Sequence, residues 1–166
     1  WAALEWHPDV SAEFVRTDAR ITTTLKVVVS SEDDAEVRHL AITNNGNRAR
    51  DIEVTSYSEL ALAPPAADAA HPAFSKLFVQ TEHVARHGAL LATRRRRSPD
   101  EPEIWAAHRA VVESEARGTP EFETDRARFL GRSHDVRAPI AVMDGRRLSN
   151  TVGTVLDPVF ALRQRL

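Results

Sequence analysis

A strict alternation of residue types between positions 21 and 29 constrains the fold of this chain more than any other feature. One face of the segment carries Ile21, Thr23, Leu25, Val27 and Val29. Successive side chains of a β-strand point to opposite faces, so the alternation predicts a long strand with one face toward a core. The β-branched residues that dominate it favour such a pleated, half-buried surface.

A second strand is predicted after a polar turn, over residues 36–43. Leu40 and Ile42 share one phase of the alternation and are expected to face inward. Val37 is out of phase with this pair. A β-bulge or a shifted register near Val37 is therefore expected.

Residues 44–47 read Asn-Asn-Gly-Asn, which is the composition of a hairpin turn. Asn and Gly tolerate the positive φ that tight hairpin turns require. A third alternating segment follows at residues 50–62. Three successive predicted strands in this spacing indicate an antiparallel meander.

The second half of the chain is less regular. Three prolines in residues 64–72 exclude a regular ladder there, and short strands are predicted near residues 77–82 and 88–94. Residues 103–116 fit a helix or a strand equally well. Residues 118–120, Gly-Thr-Pro, are expected to end this element in either case.

A last strand is predicted over residues 152–166, and the whole pattern predicts an all-β fold. Several short strands with one long irregular insert favour two packed sheets, a large antiparallel β-sandwich. The chain starts at Trp1 without an initiator Met, and its last strand has no closing turn. Residues 1–166 are therefore expected to be a single β-sandwich domain cut from a longer chain.

Composition excludes several functional classes. The chain has no cysteine, so disulfides and thiolate metal sites are excluded. The 22 basic residues nearly balance the 24 acidic ones, which argues against nucleic acid as a partner. No glycine-rich phosphate loop occurs, and no cofactor is expected.

Two clusters of charged or ligating residues receive ordinary structural interpretations. The seven histidines include no H-x-x-x-H on a predicted helix and no HExxH motif, and His83 and His87, four apart, flank a predicted hairpin turn, so no metal site is predicted. They are His7, His39, His71, His83, His87, His108 and His134. The run of four arginines at residues 94–97 could clamp a phosphate, but a strand end that enters a solvated loop is the favoured interpretation.

Paired carboxylates would suit glycoside chemistry, which usually needs an acid and a second carboxylate. Glu121, Glu123 and Asp125 alternate and are expected to share one strand face. Nothing in the sequence indicates the raised pKa that an acid catalyst needs, and there is no G-x-S-x-G motif. The residues alone therefore predict a β-sandwich without catalytic equipment.

Four separated segments nevertheless carry a specific resemblance: residues 54–59, 70–79, 122–132 and 148–160. In this order they resemble the cyclic β-1,2-glucan synthases. More narrowly, the chain is similar to the β-supersandwich domain of their phosphorylase-like region, in glycoside hydrolase family ninety-four. The resemblance runs from about Ser11 to the end of the chain.

The resemblance implies a galactose-mutarotase-like supersandwich that precedes a helical catalytic barrel in the parent protein. That barrel would carry the general acid and the phosphate site, and it is absent from these residues. The parent is expected to be a membrane-associated glycosyltransferase, with this domain on the cytoplasmic side of the bacterial inner membrane. The resemblance also favours a strand over a helix at residues 103–116.

The resemblance points to one motif as a candidate for substrate binding or for the interface with the helical catalytic domain. Its members are Glu123, Asp125, Arg126 and Arg132. A structural Asp–Arg network is favoured over a place at the rim of a substrate cleft. Trp1, Trp6 and Trp105 are candidate sugar platforms, and Trp105 is alternatively a core residue.

Three functional hypotheses remain open at this point. The leading one is a non-catalytic scaffold that docks to the helical catalytic domain. The second is an independent carbohydrate-binding module for β-glucan. The third is an oligomerisation domain, because unpaired edge strands readily recruit another chain.

Overall fold

The computed structural model describes residues 2–7 and 11–166, with side chains described from residue 11 onward. The chain divides into two compact units, Trp1–Asp51 and Ile52–Leu166. All the described strands pair antiparallel, in one four-stranded and two three-stranded sheets. The predicted all-β class is confirmed, and that residues 1–166 act as one domain stays a prediction.

The first unit is a meander of four strands that pair in chain order. The strands are β1 (Ala2–His7), β2 (Ser11–Asp18), β3 (Ile21–Val29) and β4 (Glu36–Asn44). The sequence did not predict β2, because the turn that joins it to β3 contains Ala19 and not glycine or asparagine. Ala19 nevertheless adopts a left-handed conformation, with φ of 52°.

The expected irregularity at Val37 is wrong. The register between β3 and β4 is continuous from Ile21 opposite Asn44 to Val29 opposite Glu36. Val37 lies opposite Val28. A β-branched cross-strand pair of this kind stabilises a regular ladder, so an apolar residue on the second face requires no bulge.

The predicted hairpin at residues 44–47 is also wrong, because the next strand leaves this sheet. The Asn44 side chain accepts from the Gly46 N–H at 2.9 Å and donates to the Arg48 carbonyl at 2.8 Å. The Asn45 N–H donates to the Arg20 carbonyl at 2.7 Å. These bonds close a local loop against the β2–β3 turn and do not form a two-residue hairpin.

The second unit holds two three-stranded sheets. One has the order β5 (Glu53–Glu59), β10 (Pro158–Arg165), β9 (Arg117–Asp125), and the other has the order β6 (Val79–Val84), β7 (Ala89–Arg94), β8 (Trp105–Arg109). Four short helices connect them: α1 (Pro65–Ala70), α2 (Pro72–Lys76), α3 (Arg126–Leu130) and α4 (Ile140–Met143). The ambiguous segment at residues 103–116 thus contains a strand, as the resemblance implied.

Strand β10 is the centre of the second unit, and both of its faces are covered. Phe160 and Leu162 join a core with Val79 and Leu90 of the facing sheet. Ala161 lies in a second core, with residues of α3 and α4. The sheet of β10 is therefore a middle layer, with a sheet on one side and helices on the other.

Residues 118–120 were expected to end the element at 103–116, but they lie inside strand β9, and β8 already ends at Arg109. Strand β9 is an edge strand, so the missing N–H of Pro120 does not interrupt a central ladder. Gly118 has φ of 68°, and the register with β10 shifts in the same region. The register shift accommodates Gly118, Thr119 and Pro120 within the strand.

Candidate functional site

The ends of three strands of the second unit bring five polar side chains together. Glu59 lies opposite Val159 across the β5–β10 pair, and Asp125 lies opposite Pro158 across the β10–β9 pair. The Arg126 N–H also donates to the Asp157 carbonyl at 3.0 Å. This alignment gathers what we call the junction cluster: Tyr57, Glu59, Lys76, Arg126 and Asp157.

The junction cluster is one connected chain of charged and polar contacts. Glu59 Oε1 accepts from Arg126 Nε at 3.0 Å and from the Tyr57 hydroxyl at 3.1 Å. Asp157 contacts Arg126 Nη1 at 3.7 Å and accepts from Lys76 Nζ at 2.7 Å. Two carboxylates are therefore matched by two cations, and the contacts tie β5, α2, α3 and the start of β10 together.

The electrostatics of the junction cluster favour fixed protonation states. The hydrogen bond from Arg126 holds the pKa of Glu59 below its usual value, and the same bond raises the pKa of Arg126. Burial, followed by the hydrogen bond to Glu59, raises the pKa of Tyr57 to about 12. Glu59 is thus an anion near neutral pH, and Tyr57 remains a hydrogen-bond donor.

Tyr57 also anchors the junction cluster to the core. Its ring stacks on Phe129, with 4.9 Å between centroids and 18° between the planes. Phe129 lies in the core of α3 and α4 and is 2% exposed. The hydroxyl therefore meets Glu59 from a fixed direction.

Glu123 is buried, and backbone N–H groups donate to both oxygens of its carboxylate. It is 3% exposed. Its Oε1 accepts from the N–H groups of Thr124 and Asp125, each at 3.0 Å, and its Oε2 accepts from the Ser149 N–H at 3.3 Å. Three backbone donors satisfy this carboxylate and join the end of β9 to residues 148–150.

Asp125 begins α3. Its side chain accepts from the Ala127 N–H at 2.9 Å, which is the geometry of a helix N-cap, and it lies 3.7 Å from Arg128 Nε. Glu121, on the same strand, accepts from the Leu148 N–H at 3.1 Å. Of the three alternating carboxylates, Glu121 and Glu123 thus reach residues 148 and 149, whereas Asp125 serves the helix.

The structure does not bring Arg132 and Trp105 into the junction cluster. Arg132 is exposed in the turn after α3. Trp105 is 50% exposed on edge strand β8 of the other sheet, so its interpretation as a core residue is wrong. Of the other two tryptophans, Trp1 lies outside the described residues, and only the backbone of Trp6 is described.

Four members of the junction cluster were not predicted from the sequence: Tyr57, Glu59, Lys76 and Asp157. Each of the four segments that carry the resemblance contributes to the junction cluster: residues 54–59, 70–79, 122–132 and 148–160. The resemblance thus pointed to the segments, but nothing in the sequence indicated which of their polar residues meet.

The arginine run at residues 94–97 leaves the end of β7 as a loop. The guanidinium of Arg97 lies over Phe74 and Phe78, at 5.1 and 5.7 Å from the ring centroids. The backbone N–H of Arg97 donates to Glu101 Oε2 at 2.7 Å. The described residues contain no group of three or more His, Asp and Glu side chains that could hold a metal ion. No helix among the described residues is long and apolar enough to cross a membrane.

Comparison with known proteins identifies the family. Residues 6–166 match the family described as "Glycosyl hydrolase 94, supersandwich domain". The chain belongs to this family. The supersandwich domain is also 41% identical, over 157 residues, to "Cyclic beta-(1,2)-glucan synthase NdvB" of Rhizobium meliloti (strain 1021). The match covers 94% of this chain and 6% of that protein.

The family assignment confirms the resemblance that the sequence analysis stated. It also agrees with the observed fold of antiparallel sheets and short helices. The supersandwich domain is a domain of a protein similar to a cyclic β-(1,2)-glucan synthase. The chain spans only a small part of the length of that relative.

Proposed function

We propose that this chain is a non-catalytic domain of a cyclic β-1,2-glucan synthase, and that it packs against the helical catalytic domain of its parent. The parent is a membrane-associated glycosyltransferase, and this domain lies on the cytoplasmic side of the bacterial inner membrane. The support for this assignment is the similarity to a protein named as a glucan synthase.

The non-catalytic role is supported by the lowered pKa of Glu59 and by the hydrogen bonds that occupy Glu123. A glycoside-cleaving acid needs a raised pKa and an open approach to the sugar. The pKa of Glu59 is lowered by Arg126, and Glu123 is buried under three backbone donors. These carboxylates support the junction of strands and helices and are not suited to proton transfer.

The surface beside the junction cluster suits a partner domain. Lys76 of the cluster ends α2, and the exposed apolar residues Phe74 and Leu77 flank it. Phe74 is 49% exposed and Leu77 is 43% exposed. We call Phe74, Leu77 and the exposed side of Arg126 the docking surface. Its mixture of aromatic, aliphatic and Arg side chains is typical of interfaces between domains.

The test of the non-catalytic role is Glu59→Gln in the full-length synthase. Glutamine keeps the shape of the side chain but cannot act as an acid, a base or a nucleophile. Turnover is expected to stay within about threefold of the parent, whereas loss of a catalytic proton-transfer group costs about 10²–10⁴-fold. Glu82→Gln, on the exposed face of β6, is the matched control. A loss of catalytic size in Glu59→Gln alone would overturn the proposal.

A carbohydrate-binding role is the second candidate, and the position of Trp105 favours it. A half-exposed indole on an edge strand offers a flat apolar face on which a glucose ring can stack. Titration of the chain with linear β-1,2-gluco-oligosaccharides, followed by tryptophan fluorescence, tests this role. A saturable change that Trp105→Ala removes would support it, and no change would exclude stacking on Trp105.

A further inference from the structure

An arginine-lined cleft lies in the second unit, outside the junction cluster. It has a volume of about 160 Å³. Four guanidinium side chains line it: Arg117, Arg147, Arg163 and Arg165. They come from β9, from β10 and from the loop after α4, so the cleft is built by three segments that are distant in sequence.

The base of the arginine-lined cleft is a fixed positive charge. The side chain of Arg163 is 1% exposed. Its Nη1 donates to the Arg146 carbonyl at 2.7 Å, its Nε donates to Thr55 Oγ1 at 3.3 Å, and its Nη2 donates to the Ala141 carbonyl. A buried charge held by three hydrogen bonds is screened by solvent much less than a surface arginine.

Two carboxylates lie close to three of the four arginines of this cleft. Arg165 Nε contacts Glu53 at 2.7 Å, and Arg163 lies 4.0 Å from Glu53 and 3.8 Å from Glu121. Arg147 is 87% exposed and lies 3.9 Å from Glu121. Three guanidinium groups therefore share two carboxylates. Glu121 also accepts from the Leu148 N–H, which uses part of its acceptor capacity.

Glu121 and three uncharged residues complete the lining. Asn150 Oδ1 accepts from the Phe122 N–H at 2.7 Å, so the donor end of that amide, its NH₂ group, is not used in this bond. The Thr119 hydroxyl and Gly118 also line the cleft. The space where a Cβ of Gly118 would lie is open, with no atom within 4 Å. The cleft is thus rich in donors and open to a small ligand.

We propose that the arginine-lined cleft binds a phosphoryl group, either as free phosphate or as a phosphate monoester. Arginine forks bind phosphate oxygens through paired, charge-assisted hydrogen bonds. Donors from three chain segments line the cleft, so they can contact several oxygens of a tetrahedral phosphoryl group. The proposal adds a ligand site to the domain and does not depend on its non-catalytic role.

A second cleft in the first unit provides an internal comparison. Arg20, Arg48 and Arg50 line it together with residues 44–47. All three of these arginines are exposed. Arg117, Arg147 and Arg165 of the arginine-lined cleft are exposed as well, so the two clefts differ in the buried guanidinium of Arg163. Solvent and salt screen a buried charge less than exposed ones, so tighter binding is expected at the arginine-lined cleft than at this second cleft.

The experiment is an amide-resolved NMR titration of the 166-residue chain with inorganic phosphate, against sodium chloride at the same ionic strength. Saturable shifts are expected at Gly118, Thr119 and Asn150. Arg147→Gln should weaken binding about three- to tenfold, because one charged donor is lost while the fold, which does not depend on this exposed side chain, is kept. Arg86→Gln, which removes an exposed arginine between β6 and β7, should leave the affinity unchanged.

Two further arms decide the ligand class. Methyl phosphate should cause the same shifts if the site accepts a monoester, and shifts with inorganic phosphate alone would identify the free anion. Acetate should bind more weakly than either. The proposal is overturned if no saturable shift occurs, if acetate binds equally tightly, if Arg147→Gln has no effect, or if the shifts fall at Asn45 and Gly46.

Discussion

Arg126 donates from Nε to Glu59 Oε1 at 3.0 Å and so joins the first residue of α3 to the last residue of β5. The two residues are 67 positions apart in the chain. Arg126 also faces Asp157, and Glu59 also accepts from Tyr57. This one ion pair therefore connects the elements on which the proposed scaffold role depends.

Removal of this ion pair should have a small but measurable effect on stability. Glu59→Gln is expected to lower the free energy of unfolding by about 0.5–1 kcal/mol, since the pair is partly exposed and screened. Chemical denaturation measures the difference. Glu82→Gln, the exposed control on β6, should change stability by less than about 0.5 kcal/mol. Equal effects of the two variants would contradict a specific role for the pair.

Tyr57 is the only tyrosine of the chain, so its titration can be followed directly by the absorbance of tyrosinate. The native chain should titrate with a pKa of about 12, compared with about 10 in the denatured chain. Between these two pH values the unfolded state binds fewer protons than the folded state. Stability should therefore fall as pH rises from 10 toward 12. A native transition near 10 would contradict the burial of Tyr57 and its hydrogen bond to Glu59.

Glu123→Gln should be strongly destabilising. The amide NH₂ would face backbone N–H donors that the carboxylate now accepts, and one or two of these buried donors would lose their partner. We expect a loss of about 2–4 kcal/mol in the free energy of unfolding. Chemical denaturation checks this value, and a loss below about 1 kcal/mol would contradict the observed arrangement.

Alanine substitutions at two glycines with positive φ allow the cost of steric overlap to be distinguished from the cost of backbone strain. Gly131 has φ of 81°, and an added Cβ would lie 2.6 Å from Ile140 Cγ2. Gly145 has φ of 61° and nothing within 4 Å of that position. Gly145→Ala should cost about 1 kcal/mol from strain alone, and Gly131→Ala about 2–4 kcal/mol. Equal losses on thermal unfolding would contradict the close packing of α3 against α4.

The strands with local signals could be predicted from the sequence, and the long-range pairings could not. The alternation at residues 21–29 specified β3 because its period is a property of the strand itself. The partner of β5 is β10, about a hundred residues away in sequence, and no nearby residue encodes that choice. The Asn-rich loop therefore gave a wrong hairpin prediction.

For the candidate site as well, local signals could be predicted from the sequence and long-range contacts could not. Arg126 and Glu123 were found because they lie within one recognisable segment. Glu59 and Lys76 were missed because their partners are 67 and 81 positions away. Only the folded sheet, which aligns the ends of β5, β10 and β9, reveals that these side chains meet.

The most direct measurement of the central claim is amide hydrogen exchange, compared between the 166-residue chain alone and the same residues within the full-length synthase. If the docking surface packs against the helical catalytic domain, residues 72–78 should exchange more slowly in the full-length protein, and the exposed strand β8 should serve as an unchanged reference. Identical exchange of residues 72–78 in the two proteins would contradict the account.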